Sequence, residues 1–351
     1  MIRLGLVGGG FIAQAAHIPS VALLRDVEIV AVADLDEERA RAAGRACGAS
    51  AVYGSGIEML DGEPDLDGVI VATPRSTHAE ACVPLIERGV PVFLEKPLEA
   101  GRDGALQIVE AQERSGSPVL VGYHNRFDPA FAATEEILAE ARFGALRYLS
   151  IRSFGGAWKA GATLPGQLDP DDTAPLTRPP QAQARDAVDH PPEVEWVEGW
   201  IHEVNMARAL AGDATSVTYA TTAMPRLAIV ELARCRGLFE VGLISPPGFP
   251  FECILTLHLE RARLEVSFAP PLLFRERSVL KVITHEAVTL PSLDYRESFV
   301  EELAHFVRCI KGSEEPRLTV REAYADLELC LQVAAKARDE RLREERWSKE
   351  P

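Results

Sequence analysis

The sequence predicts two domains of different class. A parallel α/β domain comes first, then an α+β domain whose open, mainly antiparallel β-sheet is flanked by helices. Three observations point there. Over the first 125 residues, short apolar runs alternate with helix-like stretches. From Ser216 to Pro291, β-rich runs follow one another with only short turns between them. The chain has 351 residues, which suits two domains of roughly 100–200 residues each.

Ile2–Val7 is the first apolar run, followed by glycines and a helix-like stretch over Phe11–Leu24. Val27–Ala33 precedes the charged stretch Asp36–Cys47, Gly68–Ala72 precedes Thr77–Arg88, and Pro91–Leu94 precedes Arg102–Ser115. Pro118–Gly122 closes the series. Strands without a polar face need cover on both sides, so the alternation reads as βαβ units in a parallel sheet. The punctuation agrees: Asp36 and Ser76 suit helix starts, Gly89 and Gly116 helix stops. A helix over Phe127–Ala141 and a strand over Leu146–Phe154 follow. Residues 159–195 hold seven prolines, seven acids and no aromatic, which predicts a long loop of the lid or binding kind. Glu198–Leu210 reads as a helix. Strands are expected over Ser216–Ala223, Leu227–Cys235, Leu238–Ser245, Phe251–Leu259, Arg263–Phe268 and Val279–Thr284. Helices Arg296–Lys311 and Thr319–Arg338 end the pattern. The expected division is residues 1–125, residues 126–338 and a charged tail, 339–351.

Composition removes several function classes. With 37 basic and 53 acidic residues, the net charge is −16, which argues against a phosphate backbone or an anionic membrane as partner. No apolar run approaches the roughly 18 residues of a membrane span. The start Met1–Val7 runs into glycines without a signal-peptide layout, so a cytoplasmic protein is expected. Cys47, Cys82, Cys235, Cys253, Cys309 and Cys330 are scattered, which suits reduced thiols, and no His/Cys/Asp cluster has metal-ligand spacing.

Gly8-Gly9-Gly10-Phe11-Ile12-Ala13 fits G-x-G-x-x-G/A after a strand and before a helix. Gly8 serves the tight turn, Gly10 a close approach of backbone to a pyrophosphate, and Ala13 close helix packing. The helix start then offers N–H groups to phosphates. Asp34, 24 positions after Gly10, ends the second strand, where an acid accepts ribose hydroxyls and repels a 2′-phosphate. NAD is therefore expected over NADP, although Arg39 one helical turn on softens that preference.

Two further strings lie at strand ends on the ligand-binding edge: Ala72-Thr73-Pro74 with His78, and Glu95-Lys96-Pro97. With Ala16-His17-Ile18-Pro19 and Gly122-Tyr123-His124-Asn125-Arg126-Phe127-Asp128-Pro129, the chain resembles the glucose–fructose oxidoreductase / inositol dehydrogenase / rhizopine-catabolism (Gfo/Idh/MocA) family. The resemblance is sharp over roughly residues 1–130 and 198–210. It implies a Rossmann domain, an α+β domain whose open sheet supports a homodimer or homotetramer, and a sugar, amino sugar or cyclitol substrate oxidised or reduced at a carbinol or keto carbon.

The resemblance gives Lys96 a catalytic role beside the nicotinamide. Electrostatics agree: an ammonium about 4 Å from a developing alkoxide contributes roughly 4 kcal/mol at an effective dielectric of 20, or up to about three decades in rate. The family's Asp-x-x-x-His-x-x-Asp pattern meets Glu198-Gly199-Trp200-Ile201-His202-Glu203-Val204-Asn205. His202 then matches the acid/base, with Glu198 and Asn205 where the family has carboxylates. Cofactor contacts are expected from Gly8, Gly10, Phe11, Ile12, Ala13, Asp34, Ala72, Thr73, Pro74, His78, Glu95 and Lys96. Substrate contacts are expected from Lys96, Tyr123, Arg126, Trp158 and His202. For Arg126 a buried ion pair is the alternative, for Trp158 packing, and for His17 and His78 helix-end capping. His124 lies on the ligand edge, and Lys159 follows Trp158. Two rival functions stay open: an enzyme that retains NAD and oxidises its sugar only transiently, and a non-catalytic NAD-binding sensor.

Overall fold

Strands that are apolar on both faces find cover on both faces. The computed structural model describes residues 1–154, 192–242 and 251–347. By its contacts the chain forms two units. The first takes Met1–Tyr123 and Phe299–Leu327; the second takes the stretch from His124, Pro192–Ser298 and the stretch from Glu328. The return of Phe299–Leu327 to the first unit is absent from the sequence reading.

The first unit holds six parallel strands: β1 (Ile2–Val7), β2 (Val27–Ala33), β3 (Ala51–Tyr53), β4 (Gly68–Val71), β5 (Val92–Glu95) and β6 (Val119–Gly122). Their order is β3-β2-β1-β4-β5-β6. The chain leaves β1 outward on one side and returns with β4 on the other, so the carboxyl ends of β1 and β4 open a crevice at the switch point. The helices are α1 (Ile18–Ala22), α2 (Glu37–Cys47), α3 (Gly56–Gly62), α4 (His78–Glu87) and α5 (Arg102–Ser115). Asp36 caps α2 by accepting the N–H groups of Glu38 and Arg39. Gly116 ends α5 with a left-handed φ of 69°.

Three differences from the sequence reading have local causes. Phe11–Leu24 is not one helix: Ala13–His17 forms a π-helical turn before α1. Pro19, in the first turn of α1, has no N–H to continue the ladder. Ser76 is not a cap. It lies in a 3₁₀ turn, Arg75–Thr77, and the Glu99 carboxylate takes the N–H of Ala79 instead. The short pieces β3 and α3 fall below the length at which periodicity speaks.

The second unit holds α6 (Pro129–Ala139), β7 (Leu146–Phe154) and α7 (Pro192–Ala211), then β8 (Ala214–Ala220), β9 (Arg226–Leu232), β10 (Arg236–Gly242), β11 (Glu252–Leu259), β12 (Arg263–Ser267), β13 (Val279–Ile283) and β14 (Val288–Thr289). Their order is β14-β13-β12-β11-β7-β10-β9-β8. The pair β7–β10 is parallel, and the remaining described pairs are antiparallel. Helix α7 starts at Pro192 rather than Glu198, with proline in the first turn where a missing N–H costs nothing. Residues 192–195 of the expected loop are therefore helical, and the rest of it lies outside the described residues. Trp196 and Trp200 of α7 meet at 4.4 Å, and Trp200 stacks on Phe239 of β10 at 5.8 Å.

Helix α8 (Ser298–Ile310) covers the parallel sheet of the first unit, with Phe306 on Phe93 at 5.9 Å. Helix α9 (Val320–Trp347) runs past Arg338, held there by the i,i+4 pair Lys336–Glu340 at 2.9 Å. The expected charged tail is thus helical as far as Trp347. Among the described residues no helix is long and apolar enough to cross a membrane.

Candidate active site

The first unit gathers its candidates on the residues that follow the carboxyl ends of β1, β2, β4 and β5. Gly8 has φ +93°, and a Cβ there would lie 2.6 Å from the Ala72 carbonyl oxygen. Glycine thus makes the turn and lets β1 and β4 close up. Gly9 faces α2, where a Cβ would meet that of Ala43 at 2.9 Å. That second packing role was missed by the sequence reading. A Cβ on Gly10 would have nothing within 4 Å, so the backbone there borders open space. Phe11 and Ile12 are half-buried beside it, and Ala13 is buried.

Asp34 follows β2 and holds the glycine loop. Its Oδ2 accepts the Gly9 N–H at 2.9 Å and its Oδ1 accepts the Asp36 N–H at 2.9 Å. A carboxylate has about four lone-pair sites, so these bonds leave room for hydroxyl donors. Arg39 leans between the acids, its Nε 3.9 Å from Asp34 and its Nη2 3.1 Å from Asp36.

Beyond β4 and β5 two loops meet around buried polar side chains. Glu95 is buried. Its Oε1 lies 2.8 Å from His17 Nε2, and its Oε2 accepts the backbone N–H of Lys96 at 2.9 Å. Imidazole and carboxyl thus share one buried hydrogen bond. His17 is thereby a buried partner of Glu95, flanked edge-on by Phe93 and Phe299 at 5.2 and 6.0 Å. Lys96 is half-buried, and its ammonium has no carboxylate partner among the described residues. Thr73 is half-buried, Pro74 exposed and Ala72 buried.

His78 does not face the open edge. It is buried, with Nδ1 2.9 Å from the Pro97 carbonyl and Nε2 3.0 Å from the Thr73 carbonyl. Burial lowers its pKa below the ordinary imidazole range, against the pull of the nearby Glu99 carboxylate. Direct cofactor contact by His78 is therefore replaced by a grip on both loops. Tyr123, after β6, is fully buried and offers no surface to a substrate in this conformation.

In the second unit, His202 is half-buried in the middle of α7, and Asn205 is buried one turn on. The structure places His124 against His202, ring centres 4.9 Å apart and edge-on. His124 Nδ1 also lies 3.4 Å from the Ser298 hydroxyl. The sequence put both histidines on the list of candidates without joining them. Arg126 is buried, its Nη2 3.4 Å from Glu135 and its guanidinium 5.6 Å over Phe131. The ion-pair alternative thus describes it better than a substrate clamp. A cleft beside His124 is lined by Asn125, Asp128, Arg277, Ser278 and Tyr295. Asp128 accepts from Ser278 at 2.6 Å, and burial raises its pKa. No sequence motif signals this cleft, because its walls come from residues 150 positions apart. Trp158 and Lys159 lie outside the described residues, as does the side chain of Glu198.

Residues 2–123 match the model of the oxidoreductase family with an NAD-binding Rossmann fold. An inositol 2-dehydrogenase of Acidothermus cellulolyticus is 36% identical over 146 residues, which is 41% of this chain and 42% of that protein. The chain therefore spans about two fifths of that relative's length at that identity. An inositol 2-dehydrogenase of Rhizobium meliloti is 26% identical over 329 residues, 89% of this chain and 90% of the relative. In fold, the chain is similar to the WlbA dehydrogenase of Bordetella pertussis in complex with NADH and UDP-GlcNAcA. The TM-score is 0.71 at 22% identity, over 96% of this chain and 97% of the other.

Proposed function

We propose that the chain is a member of the Gfo/Idh/MocA oxidoreductase family, whose Rossmann-fold model it matches over residues 2–123, and that it is an NAD-dependent dehydrogenase acting on a carbinol or keto carbon of a cyclitol or sugar. One observation carries the reading: Gly8–Gly10, Asp34, Thr73 and Lys96 all follow carboxyl ends of strands in one parallel sheet. The residues fit the cofactor. The open space beside Gly10 is what a diphosphate passing close to backbone requires, and Asp34 keeps acceptor sites for ribose hydroxyls. The carboxylate of Asp34 would repel a 2′-phosphate, so NAD is preferred to NADP.

The glycine loop and the helix start behind it would hold the diphosphate of NAD through backbone N–H groups, and the bound cofactor would supply the acceptor for a hydride from the carbinol carbon. Lys96 stabilises negative charge as it develops on the substrate oxygen. His202 accepts the hydroxyl proton on a ring nitrogen, with His124 packed against it. Two electrons and one proton leave as hydride, a second proton goes to the imidazole, and the carbinol becomes a keto group. The inositol dehydrogenase relatives favour a cyclitol. A homodimer or homotetramer through the second sheet belongs to the same reading, and sedimentation of the full chain tests it.

The test is reduced-nicotinamide absorbance with NAD or NADP and a panel holding myo-inositol, other cyclitols and free sugars. Steady NADH formation with at least one cyclitol or sugar is expected. Tight NAD binding with no NADH formation on any of them would overturn the dehydrogenase reading.

A further inference from the structure

We propose that His78 and Glu99 form a clasp that positions Lys96, a role that rests on the catalytic reading of Lys96 above. Both residues sit outside the proposed chemistry, yet they grip the loop that carries it. His78 Nδ1 lies 2.9 Å from the carbonyl of Pro97, the residue after Lys96. Its Nε2 lies 3.0 Å from the Thr73 carbonyl in the neighbouring loop. Glu99, three residues beyond Lys96, reaches back to accept the Ala79 N–H of α4 at 2.9 Å, and its other oxygen accepts the Ala100 N–H at 2.7 Å. The first turn of α4 is thus tied to the Lys96 loop twice, once in each direction.

A third element locks the arrangement. A Cβ on Gly104 in α5 would lie 2.7 Å from Glu99 Cγ, so α5 passes directly over the glutamate and fixes its rotamer. On the other side of Lys96, Glu95 accepts the lysine's own backbone N–H. The backbone of Lys96 is therefore pinned from both flanks by buried side chains, and the ammonium is carried on a fixed base. Preorganisation of this kind is what a charge-stabilising group needs, because a misplacement of about 1 Å can cost about a hundredfold in rate.

The chemistry of the clasp is specific. Two carbonyls face one imidazole, whose neutral form donates to either of them and whose charged form donates to both. Burial holds the ring below its ordinary pKa, against the pull of Glu99 and Glu95. Glutamine in place of Glu99 keeps the shape, but its amide nitrogen would face a backbone N–H and one bond would be lost. Glutamine in place of His78 cannot reach both carbonyls.

The experiment follows Lys96 directly. Acylation of its amine by a small amine-reactive reagent is timed by mass spectrometry in wild type, Glu99→Gln, Glu99→Asp and His78→Gln, with NADH affinity and kcat on the panel compound that wild type turns over fastest. Acylation should change at least about threefold in each variant. In Glu99→Gln, kcat should fall about tenfold to a hundredfold while NADH affinity stays within about threefold. In a Lys96→Met background, Glu99→Gln should lower turnover no further. Unchanged acylation in folded variants would overturn the clasp. So would an affinity loss matching the kcat loss, which would assign the pair to cofactor binding, or unfolding of all three variants, which would assign it to the fold. If wild type shows no turnover, the dehydrogenase reading fails, and acylation alone still decides the clasp.

Discussion

In the first unit the candidate residues lie at or just beyond the buried carboxyl ends of strands, and each is held by bonds within one unit: Asp34 to Gly9, Glu95 to Lys96, His78 to Thr73 and Pro97. In the second unit, His202 and Asn205 sit midway along a 20-residue helix, and the neighbour of His202 is His124, 78 positions earlier. A strand end fixes its side chain by short-range geometry, so a motif there speaks for itself. A helix face acquires its chemistry from whatever packs against it. The first kind of site tolerates little change in its motif. The second can carry an amide at Asn205 in place of a carboxylate and still present an imidazole.

The sharpest way to break this comparison is to remove one group from each unit. Lys96→Met should lower kcat by about a thousandfold, from the loss of roughly 4 kcal/mol of charge stabilisation. His202→Ala should cost about a hundredfold, the low end for a proton-transfer group. NAD affinity should stay within a few-fold in both, as titration of intrinsic fluorescence would show. A larger loss at His202 than at Lys96 would invert the ranking and make the second unit the seat of the chemistry.

Two substitutions sharpen the account of the glycine loop. Gly10→Ala puts a methyl into open space, so stability should change by less than about 0.5 kcal/mol. NAD affinity should nevertheless fall about tenfold or more, because that space is where the diphosphate would lie. Asp34→Ser should weaken NAD by about tenfold to a hundredfold and NADP less. It also frees the Gly9 and Asp36 N–H groups, so melting should drop by a few degrees. Calorimetric titration of both cofactors checks the pair. Normal NAD binding by Gly10→Ala would remove the glycine loop from the cofactor site.

The sequence reading found β1, β2 and α5 to the residue, because short, mostly apolar runs and glycine stops are local signals. It placed Gly8, Asp34 and Lys96 on one sheet edge for the same reason. It missed what no local signal carries. Glu99 belongs to no motif in the sequence, and its burial depends on α5 passing over it. His78 reads as a ligand-edge residue, and only the fold shows two backbone carbonyls at its nitrogens. Tyr123 follows a strand as Lys96 does, yet it turns inward and is covered. The return of α8 to the first sheet comes only after the strands and helices of the second unit, and no periodicity in α8 itself says which sheet it will cover.

That return supplies the last test, the smallest in effect and the most specific in sign. Glu302 lies on the face of α8 between Phe299, which meets His17, and Phe306, which meets Phe93. It is wholly buried, and neither carboxyl oxygen has a hydrogen-bond partner among the described residues. Burial pushes its pKa well above the ordinary 4.5, and the Glu95 carboxylate pushes the same way. The folded protein therefore keeps Glu302 protonated at pH values where the unfolded chain has released the proton. Such a group has its full stabilising effect below the unfolded pKa, and that effect drains away as pH rises toward the folded pKa. Glu302→Gln is neutral throughout, so it should melt above wild type at pH 7, and the gap should widen with rising pH. The expected slope is at most about 1.4 kcal/mol per pH unit, or a few degrees per unit for a domain of this size. The curves should converge near pH 4. In a Glu95→Gln background the slope should lessen without vanishing, because burial is the larger cause. Melting scans from pH 4 to 9 decide it. A gap that does not vary with pH would mean that Glu302 ionises in the folded protein as easily as in the unfolded one, and that α8 brings no buried acid to the back of the Lys96 strand.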